Sequence, residues 1–321
     1  MKQSTSDNKI KILAVVGPTA SGKSALAVEL AKLYGGEVIS CDSMQIYKYL
    51  NIATAKPTAE EMQGIEHHLI DFLEPTESFS VADYVPLALQ KAKEISARGN
   101  LPIVCGGTGL YFSSLIDGIQ FSAAGSDPAY REALEQRAQQ EGAEVLLEEL
   151  AQFDPEAAAK LHPNNLKRII RAMEHYHLTG ETITAQNAQS RSKASPFEPL
   201  VFGIAFRDRQ NLYDRIDLRV EQMLEAGLLE EAEAYFALGD VGTASAAIGY
   251  KELKPYFDGE LPLQEAVENL KKETRHYAKR QMTWFKRDTR IHWLYTDDPQ
   301  LPPLVQQARD VMEKESFLYD Y

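Results

Sequence analysis

Cysteine and long apolar runs are both scarce in this sequence. Only Cys41 and Cys105 occur among 321 residues, each beside an apolar, strand-like stretch. This argues against a disulfide framework or a cysteine-based zinc site and predicts two buried thiols. No apolar run approaches the ~20 residues that a membrane-spanning helix needs, and residues 1–7 lack the apolar stretch of a signal peptide. We expect a cytoplasmic protein that contacts no membrane and acts as a monomer.

Basic residues are in deficit too, but they are unevenly distributed. The formal net charge is -13, which argues against an indiscriminate nucleic-acid binder, because nonspecific affinity comes largely from Lys and Arg neutralising phosphates. Residues 271–290 nevertheless contain eight basic and two acidic residues, whereas residues 221–233 contain five Glu and no Lys or Arg. An acidic protein of this kind can still present a basic face.

Hydrophobic periodicity predicts a parallel α/β core near the start of the chain. The apolar run 10–16 enters a glycine-rich turn and a helical pattern at 25–34, and further strands are predicted at 37–41 and 101–105. Ser80 and Asp83 have the spacing of a capping box for a helix that runs to Gly99. Such alternation implies a parallel sheet covered by helices.

Strand signals are absent between residues 120 and 199. Pro128, Pro155 and Asn164-Asn165 mark the starts of successive helices there, and the polar stretch 180–199 is typical of a long surface connection. The pattern then predicts a strand at 200–206, helices at 208–226, 228–238 and 263–287, and a final strand at 291–295. We predict a first core part at 1–119, a helical insertion domain at 120–199, and a second core part with C-terminal helices at 200–321.

One segment matches the phosphate-binding pattern G-x-x-x-x-G-K-[ST] between a predicted strand and helix: Gly17-Pro18-Thr19-Ala20-Ser21-Gly22-Lys23-Ser24. Small residues let backbone N–H groups close on phosphate oxygens, Lys23 adds charge, and the Ser24 hydroxyl can hold Mg²⁺. The predicted fold class is therefore α/β, a P-loop NTPase-like parallel sheet core with a helical insertion. The strand 101–104 leads to Cys105 and glycines instead of the usual acidic residue, which counts against ATP hydrolysis and leaves Asp71 as a weaker metal-binding candidate.

Two polar side chains follow predicted strands and are candidates for chemistry. Asp42 follows the strand 37–41, at the same carboxyl edge of the sheet as the P-loop. Its carboxylate can orient a nucleophile and accept its proton, or it can cap a turn, and position alone favours neither. Thr108 offers a hydroxyl at the same edge, with a purely loop-forming role as the alternative.

Basic residues recur at helical spacing in the predicted insertion. Lys167, Arg171 and His175 are each four apart, with Arg168 beside them. They predict a basic stripe on one helix face, although a solvated face has the same pattern.

The C-terminal helices carry two further basic groups. Arg275, Lys279 and Arg280 share one long helix with three aromatic residues, and we expect the charges to meet phosphate and the aromatics to pack inward. Arg215 and Arg219, also four apart, would bring two guanidinium groups onto one edge of a buried helix.

Six motifs in order resemble the tRNA dimethylallyltransferase family of bacterial type. They are the P-loop, Asp42-Ser43-Met44-Gln45-Ile46-Tyr47, Thr54-Ala55-Lys56-Pro57, His67-His68-Leu69, Gly106-Gly107-Thr108-Gly109-Leu110-Tyr111 and Ile248-Gly249-Tyr250-Lys251. The resemblance implies that the P-loop binds dimethylallyl diphosphate with Mg²⁺ instead of a nucleoside triphosphate. The acceptor would be the exocyclic N6 amine of the adenosine 3′ of the anticodon in tRNA, position 37, with release of diphosphate.

The resemblance also implies residue roles. Asp42 would hydrogen-bond the amine and act as general base, Thr108 and Arg219 would act on the diphosphate bridge and leaving group, and Ser24 would hold the metal. Residues 17–24 and Arg215 would bind the diphosphate. Contacts to tRNA are implied for Asp42, Ser43, Met44, Gln45, Thr108, Arg131, Lys167, Arg168, Arg171, Lys279 and Arg280.

The sequence also leaves other functions open. Ala246 and Ala247 stand where relatives often carry polar residues, so we expect no RNA contact there. An isopentenyltransferase of free adenine nucleotides would have little need of the basic helix within residues 164–180, and a P-loop small-molecule kinase would transfer a γ-phosphate. A non-catalytic RNA-binding protein would not require an intact P-loop together with Asp42.

Overall fold

The computed structural model describes residues 9–121, 125–190, 194–239 and 241–317. The chain divides into two compact units, one formed by Met1–Ile116 with Ser195–Tyr321 and the other by Asp117–Ala194. The expectation for residues 1–7 lies outside the described residues. No helix within the described ranges is long and apolar enough to cross a membrane.

The first unit contains a sheet of parallel strands. They are β1 (Ile10–Val16), β2 (Gly36–Ser40), β3 (His67–His68), β4 (Leu101–Gly106), β5 (Phe197–Ala205) and β6 (Ile291–Tyr295). The strand order is β3-β2-β4-β1-β5-β6, and every pairing is parallel. The carboxyl ends of β2, β4 and β1 are therefore neighbours, which brings together the three loops that follow them.

The described residues form fourteen α-helices. They are α1 (Lys23–Tyr34), α2 (Ala59–Met62), α3 (Val81–Ala97), α4 (Gly109–Ile116), α5 (Pro128–Glu141), α6 (Ala143–Phe153), α7 (Pro155–Ala159), α8 (Leu166–Thr179), α9 (Ile183–Ser190), α10 (Arg209–Glu225), α11 (Leu228–Phe236), α12 (Tyr250–Phe257), α13 (Leu263–Phe285) and α14 (Leu304–Lys314). Short 3₁₀ helices lie at Pro163–Asn165 and Gly242–Ala246.

The sheet is buried on both faces because helices cover both. Alternate residues of β1 belong to different cores, with Ile12 and Ala14 on one side and Leu13 on the other. Helices α3, α4 and α11–α13 pack on the first side, and α1 and α14 pack on the second. This two-sided burial explains why β1 is a continuous apolar run instead of an alternating one.

The second unit consists of helices α5–α9 in the described residues and has its own core. Leu134, Leu146, Leu150, Ile169 and Met173 are almost completely buried there. An apolar cluster of this kind gives the insertion a stabilising interior of its own.

The predicted core elements are confirmed to within a few residues. The Ser80 capping box is present, since the Asp83 carboxylate accepts hydrogen bonds from the Ser80 N–H (2.9 Å) and hydroxyl (2.6 Å). Both cysteines are buried, on opposite faces of the sheet, as predicted.

The prediction of a surface connection over 180–199 is wrong in part. Helix α9 lies within it, and β5 begins at Phe197, three residues before the predicted start at Leu200. The Asp154 carboxylate accepts hydrogen bonds from the N–H (3.0 Å) and hydroxyl (2.7 Å) of Thr184 at the start of α9. Asp154 is 30 residues away in sequence, so local polarity does not reveal this contact, whereas Thr182 also caps the helix locally by accepting a hydrogen bond from the Ala185 N–H (3.1 Å). Residues 191–193 of that stretch lie outside the described residues.

Candidate active site

The P-loop connects β1 to α1 through residues 17–22. Gly22 precedes the helix with a φ of 92° and provides no side-chain cap for the first N–H groups of α1. These groups are therefore free to bind an anion, whose charge the helix dipole favours. Ser21 buries its hydroxyl, for which no hydrogen-bond partner exists among the described residues.

A cavity of about 330 Å³ opens next to the P-loop within the first unit. Its polar lining contains Thr19, Lys23, Ser24, Asp42, Ser43, Gln45, Thr54, Arg219, Lys251, Thr274, Tyr277, Arg280 and Gln281. Its apolar lining contains Met44, Ala53, Ala55, Val220, Met223, Leu228, Ala246, Ala247, Ile248 and Leu270. The cavity thus joins a cationic end to an apolar wall, a combination suited to an anion with an apolar tail.

Lys23 and Arg219 provide positive charge at this cavity. Burial lowers the pKa of Lys23, and Arg219 adds to this effect while Cys105 and Asp42 oppose it. Burial also lowers the pKa of Arg219, an effect that Glu61 opposes and Arg215 reinforces. Two partly buried cations at one cavity form a favourable site for a multivalent anion.

The Asp42 carboxylate lies at the cavity and also caps a turn. Its Oδ1 accepts hydrogen bonds from the N–H groups of Met44 (2.9 Å) and Gln45 (3.3 Å). No described residue donates a hydrogen bond to Oδ2. The two roles considered for Asp42 are therefore compatible, because different oxygens serve them.

The Thr108 hydroxyl is bonded to Ser43 and does not line the cavity. It accepts a hydrogen bond from the Ser43 N–H (3.0 Å) and donates one to Ser43 Oγ (3.4 Å). In this arrangement Thr108 fixes the loop after β2, and Ser43 faces the cavity.

Gln281 is a site residue that sequence reasoning missed. Its side chain is buried, accepts a hydrogen bond from the Thr19 N–H (2.9 Å) and donates one to the Gly107 carbonyl (2.9 Å). It therefore joins the P-loop and the loop after β4 to helix α13. A glutamine within a helical pattern carries no local signal for such a role.

Tyr277, one helical turn before Gln281, is one of the three aromatic residues of this helix that were expected to pack mostly inward. It lines the cavity, and burial together with Asp42 raises the pKa of its hydroxyl. The hydroxyl therefore stays protonated and able to donate a hydrogen bond at neutral pH.

Two basic residues of helix α13 form ion pairs with acidic residues of helix α10. Arg275 forms an ion pair with Asp217 (2.5 Å), and Lys271 forms one with Glu221 (2.5 Å). Arg275 is thus paired with an acidic neighbour on α10, and its expected contact with phosphate stays a prediction.

Other basic residues are distributed around the cavity. Arg280 lines it, whereas Lys279, next in sequence, faces a separate hollow of about 280 Å³ beside Tyr213. Arg215 is exposed and does not line the cavity, but its Nη2 lies 3.7 Å from the position of a Cβ on Gly22. It therefore borders the P-loop from outside.

The aromatic residues of α13 divide between core and surface. Phe285 is buried against Phe112. Trp284 is 36% exposed and donates a hydrogen bond from Nε1 to Ser113 Oγ (3.0 Å).

In the second unit the predicted basic stripe is smaller than expected. Lys167 and Arg168 are exposed and border two hollows. His175 is only 1% exposed, so its place in an exposed stripe is wrong. An α-helix has 3.6 residues per turn, so side chains four residues apart do not lie directly above one another. Each step rotates the side chain further around the helix, and the third residue, His175, therefore points into the core.

Arg131 and Arg171 are held by a buried carboxylate. Glu174 is fully buried and accepts hydrogen bonds from Arg131 Nε and Nη2 (2.7 and 2.8 Å) and from Arg171 Nη1 (2.8 Å). Burial acts to raise the pKa of Glu174, but these bonds and the Asp127 N–H outweigh it and lower the pKa. Both arginines are therefore anchored to the interior of this unit, but their side chains stay 42% and 44% exposed, and their contact with tRNA stays a prediction.

Asp71 and the His67-His68 pair do not lie at the cavity. Asp71 pairs with Lys56 Nζ (2.5 Å). His68 Nε2 bonds Glu37 Oε2 (2.6 Å), and Glu37 also pairs with Arg98. Glu37, Glu66 and His68 are close enough to hold a metal ion, but the bonded Arg98 makes the group an ion-pair network.

The family follows from comparison with known proteins. Residues 45–288 match the family model described as IPP transferase. The chain belongs to the IPP transferase family. It is 49% identical over 292 residues to the tRNA dimethylallyltransferase of Thermoanaerobacter sp. (strain X514), covering 90% of this chain and 93% of that protein.

Solved structures of IPP transferases share the fold. The tRNA isopentenylpyrophosphate transferase from Bacillus halodurans is 43% identical with a TM-score of 0.69, covering 97% of this chain and 96% of that chain. A eukaryotic dimethylallyltransferase acting on tRNA is 28% identical with a TM-score of 0.81, covering 96% and 79%. The predicted fold class, family and transferase activity are confirmed, whereas the roles of individual site residues stay predictions.

Proposed function

We propose that this chain transfers a dimethylallyl group from dimethylallyl diphosphate to the N6 amine of adenosine 37 in tRNA. The observation that carries the proposal is the cavity itself, which combines the P-loop, the Asp42 carboxylate and an apolar wall. Each part matches one component of the reaction, namely a diphosphate, an attacking amine and a branched hydrocarbon. Neither a kinase nor an RNA-binding protein without catalysis requires all three together.

The P-loop would bind the diphosphate and stabilise it as it leaves. As the allylic C1–O bond breaks, its electron pair passes to the diphosphate, whose negative charge grows. Lys23, Arg219 and the N–H groups at the start of α1 would stabilise that charge more strongly in the transition state than in the ground state.

Asp42 would act on the nucleophile. An aromatic exocyclic amine is a weak nucleophile until it begins to lose its proton. Oδ2, which has no partner within the described chain, would accept the proton as the N6–C1 bond forms. A positioned carboxylate contributes ~10²–10⁴-fold to such a step.

The site residues fit a bound Mg²⁺. Ser24 lines the cavity next to Lys23, and its hydroxyl, a hard oxygen donor of the kind that Mg²⁺ accepts, would hold the ion beside the diphosphate. Bound Mg²⁺ would neutralise charge on the leaving diphosphate.

The tRNA would be bound by separate groups of residues. Ser43, Met44 and Gln45 would contact the target base and its neighbours at the cavity, and Arg280 would meet phosphate at its rim. Lys167, Arg168 and Arg171 are exposed cations on α8, and we assign Lys167 and Arg168, which form no ion pair within the described residues, to the tRNA backbone.

The test is transfer of label from dimethylallyl diphosphate. We expect labelled tRNA, no labelled AMP, and no transfer of label from the γ-phosphate of ATP. An anticodon stem-loop with guanosine at position 37 should stay unlabelled, and mass analysis of the digested product should place the group on N6. Preferential labelling of AMP would favour the free-nucleotide enzyme, and labelling of the guanosine variant would refute the assigned position.

A further inference from the structure

One wall of the cavity is a turn in a strained conformation. Ala53, Thr54 and Ala55 line the cavity, and the turn has positive φ angles at Tyr49 (66°) and Ala55 (51°). Residues other than glycine adopt such angles only where surrounding contacts hold them. The shape of this wall therefore depends on what anchors residues 49–55.

Glu231 on α11 is the principal anchor of this turn. Its Oε2 accepts hydrogen bonds from the N–H groups of Asn51 (2.9 Å) and Ile52 (2.8 Å). Its Oε1 accepts from Ile52 (3.0 Å) and Ala53 (2.9 Å). Three successive backbone N–H groups thus converge on one carboxylate, an arrangement that a negative charge stabilises strongly.

The Ile248-Gly249-Tyr250 motif packs against the same turn and against Glu231. The Tyr250 hydroxyl donates a hydrogen bond to Glu231 Oε1 (2.8 Å). Gly249 has a φ of 121°, and a Cβ there would meet the Ala53 Cβ at 2.9 Å. Larger residues at 249 would displace the turn, so glycine is required for close packing as well as for conformation.

The turn is also tied to the segment that contains Asp42. Gln45 donates hydrogen bonds from Nε2 to the carbonyls of Thr54 (3.1 Å) and Ala55 (3.0 Å). On its other side, Leu228 of α11 lines the cavity one turn before Glu231. Glu231 itself does not line the cavity, so it acts through the groups that it binds, which are the three N–H groups of the turn and the Tyr250 hydroxyl.

We propose that Glu231 is a positioning residue that sets the apolar wall of the cavity and thereby the affinity for the allyl group. This inference rests on the function proposed above. In it, the P-loop binds the diphosphate, and the turn anchored by Glu231 binds the hydrocarbon. The two parts of one substrate therefore depend on different residues.

Steady-state kinetics at saturating tRNA can separate binding of the diphosphate from binding of the hydrocarbon. The measured quantities are the KM for dimethylallyl diphosphate and the inhibition constant of inorganic diphosphate, which lacks the hydrocarbon. In Glu231→Gln, an amide NH₂ group replaces one of the two carboxylate oxygens. This group cannot accept hydrogen bonds from the backbone N–H groups of the turn, so the turn shifts. We expect KM to rise at least about fivefold while the inhibition constant changes less than about twofold.

Glu233→Gln is the matched control, because Glu233 is exposed on the same helix and the substitution changes charge identically. It should leave both constants unchanged. Glu231→Ala should raise the KM for dimethylallyl diphosphate further than Glu231→Gln does. If the alanine variant does not fold, the glutamine variant alone tests the role of Glu231.

The outcomes distinguish this inference from the function on which it rests. Absence of transfer by the wild-type protein would refute the proposed function and this inference with it. Transfer by the wild type with equal changes of both constants in Glu231→Gln, or with no change of either, would refute the role of Glu231 alone.

Discussion

The two oxygens of the Asp42 carboxylate have different surroundings. Oδ1 holds the turn through Met44 and Gln45, and Oδ2 has no donor among the described residues. One oxygen thus fixes the orientation of the other, which prepares it to accept a proton from a bound amine.

Asp42→Asn tests the proton-accepting role without removing the cap. The asparagine oxygen can still accept from Met44, but its amide nitrogen cannot take a proton. We expect the single-turnover rate at saturating tRNA to fall ~10²-fold or more, with little change in KM for dimethylallyl diphosphate. A chemical step within a few-fold of the wild-type rate would show that Asp42 serves only as a turn cap or positioning residue.

Lys23→Met tests the P-loop charge in the absence of tRNA. Because burial lowers the pKa of Lys23 in the folded protein, its protonated form opposes folding at any pH below its unfolded value. The variant should therefore melt no lower than the wild type when unliganded. The rise in melting temperature on adding inorganic diphosphate should disappear, because the ammonium group binds that anion. An undiminished rise would contradict the assignment of Lys23 to the diphosphate.

At the scale of secondary structure, three separate elements meet at Gln281. The P-loop follows β1, the glycine-rich loop follows β4, and α13 lies late in the chain. One buried amide satisfies a donor of the first and an acceptor of the second. The relative position of the two loops is therefore coupled to the packing of α13.

Gln281 and Gly107 should show strong energetic coupling. A Cβ on Gly107 would meet Gln281 Nε2 at 2.1 Å, so Gly107→Ala must displace the glutamine. Gln281→Ala leaves the Thr19 N–H and the Gly107 carbonyl without partners, and we expect a loss of about 1–3 kcal/mol in the free energy of unfolding.

Urea unfolding of the two single variants and the double variant measures the coupling. The double variant should be less destabilised than the sum of the single variants, because the clash is absent when residue 281 is alanine. Lys279→Ala, at an exposed position of α13, provides a control that should combine additively with Gly107→Ala. Additive behaviour at 281 as well would contradict the contact.

For the molecule as a whole, the ion pairs decide which basic side chains are available to a ligand more than the number of basic residues does. Two cations of residues 271–290, Lys271 and Arg275, are paired with acidic residues of α10, and Arg131 and Arg171 share Glu174. The cations available to a polyanion are therefore fewer than the sequence suggests, and Lys167 and Arg168 are prominent among them.

The salt dependence of tRNA binding tests these two residues. We expect Lys167→Ser/Arg168→Ser to weaken binding and to reduce the slope of log K against log salt by about 1 to 2, since each lost phosphate contact removes ~0.7–0.9. Lys93→Ser/Lys314→Ser changes net charge equally at exposed positions of the other unit and should leave the slope unaltered. An equal slope for both double variants would identify Lys167 and Arg168 as a solvated face.

The sequence by itself determined the core fold and the placement of Lys23 and Asp42 beside one cavity. Strand, glycine-rich turn and helix follow one another locally around Lys23, and the parallel arrangement places Asp42 at the same sheet edge. The P-loop could be predicted because its shape depends on the backbone conformations of adjacent residues. The strands and helices could be predicted because the spacing of apolar residues indicates which side chains are buried.

Only the tertiary structure decided which side chains complete the cavity and which charges stay available. Thr19 and Gln281 are 262 residues apart, and Asn51 and Glu231 are 180 apart. The two arginines on Glu174 and the inward-facing His175 likewise depend on how helices pack. No local pattern encodes such pairs, because a side chain finds its partner only after the fold has brought distant elements together and excluded water between them.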